Sequence, residues 1–169
     1  SMEKSIDWTT FTRRIHIQKP AQLVFDAWTQ KRLLETWFLE IAEFKDSNGV
    51  GRKPIETVQQ GDTFSWKWNN WPHREEGEVL KIKNKKLISF TFGPGGIVDI
   101  HLKESKWGTE VTLIQKQIPT DDKHKMELFV GCYGGWTFWL ANLKAWMEHG
   151  ITLHATGLNE GDTTNLVNS

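Results

Sequence analysis

The chain has 169 residues, enough for one continuous core and short for two, and its 21 Lys and Arg balance 21 Asp and Glu. That neutrality removes the basic surplus needed by a nucleic-acid binder or a protein that docks on anionic membrane. One cysteine, Cys132, allows no internal disulfide, and no run approaches the roughly 18 apolar residues of a membrane span. A reducing, cytoplasmic setting is expected, with no nucleic-acid or membrane partner.

In chain order, Phe11, Ile15 and Ile17 share one parity and predict a half-buried first strand that ends at Lys19-Pro20. Leu23, Val24, Ala27 and Trp28 then recur at helical spacing, with Pro20 at the helix start, where no N–H is needed. Leu33, Leu34, Trp37 and Phe38 predict a second short helix. A strand is expected over 39–46, closed by the turn Asp46-Ser47-Asn48-Gly49. The stretch 49–61 is loose, and its Gly49-Val50-Gly51 lacks the strand-to-helix context of a phosphate loop.

From Asp62 to Ile118 five strands are expected in meander order, separated by Asn70-Trp71-Pro72, Asn84-Lys85, Gly93-Pro94-Gly95-Gly96 and Lys106-Trp107-Gly108. Alternation places Phe64, Trp66, Trp68, Leu80, Ile82, Ile88, Phe90, Phe92, Val98, Ile100, Leu102, Val111 and Leu113 on one face. Lys67, Lys81, Lys83, Asp99 and Lys103 take the other, so only one side is dry. Thr120 or Asp121 caps a helix reaching His149, whose stripe is Phe129, Tyr133, Trp136, Leu140, Leu143 and Met147, and Gly150 stops it. The domain is thus expected over 8–151, followed by a polar tail, 152–169, partly disordered beyond a few docking residues.

The order of elements, with Pro20-Ala21-x-x-Val24-Phe25-x-Ala27-Trp28 early and Gly135-Trp136-x-x-x-Leu140-x-x-Leu143 late, resembles the SRPBCC or START-related superfamily. More narrowly, Gly61-Asp62-Thr63-Phe64-Ser65-Trp66-Lys67-Trp68 and Gly131-Cys132-Tyr133-Gly134-Gly135-Trp136 look similar to the family named for the C-terminal domain of the activator of the ninety-kilodalton heat-shock chaperone's ATPase. The resemblance covers about residues 8–155. It implies an α+β helix-grip (Bet v 1-like) fold, a curved antiparallel sheet wrapped round a long C-terminal helix. Such folds commonly enclose a cavity for apolar molecules, and members include binders, cyclases and co-chaperone domains, so the fold alone does not name an activity.

Ten tryptophans beside nine phenylalanines and one tyrosine mean either an aromatic core or a surface that grips something flat. Trp66 and Trp68 leave their strand about 7 Å apart, able to flank a ligand or simply to fill space. The expected binding cavity consists of Phe64, Trp66, Trp68, Ile88, Phe90, Phe92, Ile100, Leu113, Gln115, Gln117, Tyr133, Trp136 and Leu140. Gln115, Gln117 and the Tyr133 hydroxyl would orient a small hydrophobic or aromatic ligand. Glu78 is the carboxylate expected to face inward beside them.

No catalytic residue, cofactor or metal is expected. The six histidines lie in different elements without zinc-ligand spacing, and Cys132 has no base beside it in sequence. Two other readings stand beside ligand binding: a chaperone-ATPase-activating interaction domain, and a cyclase- or hydrolase-type enzyme using Glu78, Asp99 or Tyr133. Phe138, opposite the centre of the helix stripe, would with Trp139 and Trp146 suit a homodimer or tail-docking surface.

Overall fold

Where alternation and turn chemistry agree, the chain forms the expected elements. The computed structural model of the protein describes residues 5–158 and 163–167. Strand β1 (Phe11–Ile17) leads to helices α1 (Ala21–Thr29) and α2 (Lys31–Trp37), then β2 (Ile41–Lys45) and β3 (Thr63–Lys67). The meander continues through β4 (Arg74–Lys83), β5 (Leu87–Thr91), β6 (Ile97–Ser105) and β7 (Gly108–Lys116). All seven strands form one antiparallel sheet ordered β1-β7-β6-β5-β4-β3-β2.

The closing helix starts at α3 (Asp122–His124), capped by the Asp121 side chain accepting from the His124 N–H. It winds through a π turn, Lys125–Val130, into α4 (Gly131–His149), and Gly150 ends it in the left-handed region at φ 69°. The π turn has no signature in apolar periodicity. It lies at the start of the helical face that bounds the site described below, a common setting for such turns.

One dry face of the sheet meets α1, α2 and α4. Phe64 stacks on Trp66 with ring centroids 4.0 Å apart, and Trp66 meets Phe90 edge-on at 5.1 Å. Gly77 lies opposite Phe64, and a Cβ there would meet the Phe64 ring at 2.2 Å, so this position holds the stack against the sheet only as glycine. The loose segment after β2 is tied down by a buried ion pair: Arg52 Nε and Nη2 donate to the two Asp62 oxygens at 2.8 and 2.9 Å.

Strand β4 departs from strict alternation. Val79 pairs with Phe90 and Lys81 with Ser89, so Leu80 is an extra residue and the side-chain parity reverses across it. The inward residues before the bulge are therefore Glu75, Gly77 and Val79, opposite Trp66, Phe64 and Phe90, with Ile82 inward after it. The inward position expected for Glu78 is corrected on this ground: Glu78 is exposed, and Glu75 takes the inner side.

The residues after Gly150 dock as a strap. Asn142, fully buried on α4, donates to the Trp37 carbonyl (2.6 Å), accepts from the Leu153 N–H (2.6 Å) and meets His154 Nδ1 at 3.1 Å. Asn70 at the β3–β4 turn then donates to the Ala155 carbonyl and accepts from the Leu158 N–H, both at 2.9 Å. The disorder expected for residues 159–162 and 168–169 concerns positions outside the described residues.

His154 faces the Asn142 amide N–H2 with its Nδ1, which accepts only when unprotonated. Burial lowers its pKa from the ordinary 6.5. A lowered folded value means that the neutral form stabilises the strap above the ordinary pKa, and that this is lost as pH falls through the lowered one. Acidification should therefore loosen residues 151–158, seen as a fall in the protection of the Leu153 and Leu158 amide protons relative to their intrinsic exchange at each pH. Exchange unchanged across the His154 titration would separate the imidazole from strap docking.

Candidate functional site

The inner face is not uniformly filled. Ile88, Ile100, Leu113 and Leu140 are at most 2% exposed, and Phe64, Trp66 and Phe90 are 3% exposed, so this set forms a meshed core. The sheet and helix do face one another there, but side chains and not a hollow occupy the space between them. Open volume survives at one end, where a cavity of about 270 Å³ is lined by Phe38, Trp68, Trp71, Phe92, Gly131, Cys132, Gly135, Trp136 and Trp139.

Each wall has a local cause. Phe38, just after α2, meets Trp68 at 5.6 Å and Trp139 at 5.4 Å, both edge-on. Trp68 is placed by the β3–β4 turn, which the strap holds through Asn70 in a left-handed conformation at φ 71°. Phe92, entering the turn Gly93–Gly95, lies 6.1 Å from Trp68 and 5.3 Å from Trp136. On α4, Gly131, Cys132, Gly135, Trp136 and Trp139 share one side by helical spacing. A Cβ on Gly135 would touch nothing within 4 Å, so the missing side chain is part of the opening.

Of the expected site residues, Trp68, Phe92 and Trp136 are brought together at the cavity. Gln115 is inward and fully buried, but both ends of its amide are engaged. Its Nε2 donates to the Gly95 carbonyl at 3.0 Å, and its Oε1 accepts from Trp136 Nε1 at 2.8 Å. It positions the Trp136 wall and the β5–β6 turn.

Two orientations are corrected. Gln117 follows the end of β7 with φ 59° and is exposed, because alternation stops where the strand stops. Tyr133 is 38% exposed and turned to β1: Arg13 Nη1 donates to its hydroxyl, the guanidinium carbon sits 4.2 Å over its ring, and Phe11 lies at 5.5 Å. Tyr133 lies in the first turn of α4 on the flank toward β1, its ring stacked on Phe129 at 6.3 Å, while Trp136, three residues on, turns to the cavity.

Phe38, Trp71, Trp139 and the Gly131/Gly135 pair were missed as site residues. The glycine pair was the available signal: two small residues one helical turn apart on an otherwise aromatic face leave space beside large rings. A larger groove of about 590 Å³ lies between Glu43, Lys45, Thr63, Ser65, Arg74 and Glu76. Its charges pair with one another, as Arg74 does with Glu43 at 3.4 Å, and it has no comparable aromatic wall.

One titratable group, Cys132, lines the aromatic cavity, and a second, Glu75, lies outside the lining over Gly93, next to Phe92. Burial pushes the Cys132 thiol up, a Gln115 hydrogen bond opposes that, and the nearby Glu75 charge adds to it, so the thiol is a poor nucleophile. Burial, with the Glu76 charge behind it, also raises the Glu75 carboxyl above its ordinary 4.5. Folding therefore favours protonated Glu75, a contribution present in acid and lost as pH rises through the raised value. Glu75→Gln should be more stable than the parent at neutral pH and equal to it in acid, as read by thermal unfolding across pH. A variant equally stable at both ends would show that the carboxylate is well solvated. Among the described residues no group of three His, Cys, Asp or Glu is placed to hold a metal ion.

With this geometry in place, the match to known proteins is specific at the level of family. Residues 18–148 match the family described as "Activator of Hsp90 ATPase homolog 1-like protein". The chain belongs to that family. No curated protein matches the sequence.

Among solved structures, a protein from Staphylococcus saprophyticus aligns with TM-score 0.69 at 23% identity over 87% of this chain and 97% of its own. The Aha1 dimer from Colwellia psychrerythraea, a solution structure, aligns at 0.65 and 17% identity over 83% and 97%. A protein from Mesorhizobium loti aligns at 0.66 and 18% identity over 84% and 98%. These likenesses support the helix-grip fold of this family member and no activity. Among its described residues no helix is long and apolar enough to cross a membrane.

Proposed function

We propose that this family member is a binding protein for a compact apolar or aromatic molecule, held at the open end of the grip. The observation that carries the reading is the cavity of about 270 Å³ bounded by Phe38, Trp68, Trp71, Phe92, Trp136 and Trp139. A volume just below the ~300–1,000 Å³ usual for small-molecule sites suits a small ligand or one group of a larger one, and disfavours an engulfed sterol. Burying about 150–200 Å² of ligand apolar surface at ~25 cal/mol per Å² contributes about 4–5 kcal/mol before the cost of association. A Kd of about 0.2–1 mM is therefore the tightest that ring burial alone supplies. The mixed Trp, Phe and Gly walls set shape, and no protein cation competes for the space.

The test is titration with small aromatic and branched aliphatic compounds, followed by tryptophan emission and by indole N–H NMR resonances. Binding predicts saturable shifts concentrated on the indoles of Trp68, Trp71 and Trp139. Emission and resonances unmoved across the whole panel would sink the reading.

A further inference from the structure

The cavity has aromatic walls and one unpaired negative charge beside it. Glu75 shares the inward side of β4 with Gly77 and Val79, because it pairs with Trp66 across the ladder. Its carboxylate lies over Gly93, the residue after cavity-lining Phe92: a Cβ on Gly93 would fall 2.1 Å from Glu75 Oε1. The Glu75 charge is felt by the Cys132 thiol in the opposite wall.

Among the described residues nothing neutralises that carboxylate. The neighbouring groups are committed elsewhere. Arg74 engages Glu43 and the Ser65 hydroxyl, and Glu76 accepts from the same hydroxyl. Half-burying a carboxylate without a partner is unfavourable unless something else supplies the charge. Indole and phenyl faces attract cations through their quadrupoles, most strongly where water is excluded.

We infer that the cavity takes an organic monocation, an alkyl- or quaternary ammonium with a compact apolar body, whose charge is met by Glu75 and whose substituents lie against Trp68, Phe92, Trp136 and Trp139. This rests on the binding reading above and adds the chemical class of the ligand. In this reading the ligand, and not the fold, supplies the partner of Glu75.

The deciding experiment compares choline with its neutral isostere, in which carbon replaces the ammonium nitrogen, by NMR titration of the full chain and of Glu75→Gln. Choline should bind the parent about fivefold or more tighter than the isostere, as roughly 1 kcal/mol or more of cation recognition requires. Glu75→Gln should hold the isostere as the parent does and lose most of the preference, keeping the share that the aromatic faces supply. If the isostere binds the parent as well as choline does, or the whole preference persists in Glu75→Gln, the cation inference falls while the binding site stands. If neither probe moves the cavity indoles, the cation inference falls, and the wider panel above decides the binding reading.

Discussion

Replacing Gly135 by leucine should abolish ligand binding while making the protein more stable. A Cβ at this position touches nothing within 4 Å, and the residue lines the cavity, so the new side chain grows into the opening and not into the core. Occupying the space that Trp68 and Phe92 leave beside α4 should weaken any cavity ligand by at least about tenfold, since about 1.4 kcal/mol of lost contact suffices. Glycine within a helix is about 0.8–1 kcal/mol worse than a good helix former, so the same change should raise the unfolding temperature. Gly134→Ala is the control: its Cβ is also unobstructed, but it does not line the cavity, so it should stabilise without touching binding. Ligand titration and thermal unfolding of both variants check the pair. Undiminished binding in Gly135→Leu would move the site elsewhere.

The second large effect is on stability. Gln115→Leu removes a fully buried amide and strands two partners, the Gly95 carbonyl and the Trp136 indole N–H. Each orphaned buried group costs about 1–3 kcal/mol, so a loss of about 2–5 kcal/mol is expected. Against a total of about 5–15 kcal/mol for an ordinary domain, that is a severe change. Urea unfolding measures it directly, with Gln117→Ala as comparison: exposed and beyond the end of β7, Gln117 should matter by no more than about 0.5 kcal/mol. Freed from Gln115, Trp136 should also lose its fixed pose, so cavity binding should weaken in the variant that remains folded. A Gln115→Leu protein as stable as the parent would mean that water or rearrangement replaces both hydrogen bonds.

These two glutamines show the different reach of local and distant information. They sit two residues apart in one strand pattern and were assigned one role on that ground. One is the buried clamp behind the site, and the other is outside it. Nothing within the segment says that the strand ends between them; what ends it is the left-handed turn at Gln117 after pairing with β1 and β6 is complete.

The family relation changes what the other readings mean for this chain. A chaperone-activating role comes from the name of the family and has no comparable structural feature behind it. An enzymatic role assigned to Glu78 loses its group, since Glu78 is exposed. Glu75, which takes the inner position, has among the described residues no polar partner with which to share a proton. A carboxylate held in that way is better suited to meeting a charge than to moving a proton along a chain of groups.

Much of the architecture was legible from residues alone, because its determinants are local. Alternation in β5, β6 and β7, a cap at Thr120 or Asp121, the Gly150 stop and the glycine- and asparagine-marked turns each act within a few residues, and the run of elements follows from them, while the helix-grip arrangement is what the family resemblance implied. Tertiary structure decided which side chains mesh and which leave room. The extra residue Leu80 in β4 exchanged Glu78 for Glu75 on the inner face, and packing of the first turn of α4 against β1 put Tyr133 beside Arg13. The stacking of Phe64 on Trp66 closed the middle of the grip and left the Trp68–Trp136 end open. Register and packing each depend on partners far away in the chain, and a cavity is defined by atoms that do not touch, so the glycine pair on α4 was a local sign of space and not of its extent or walls.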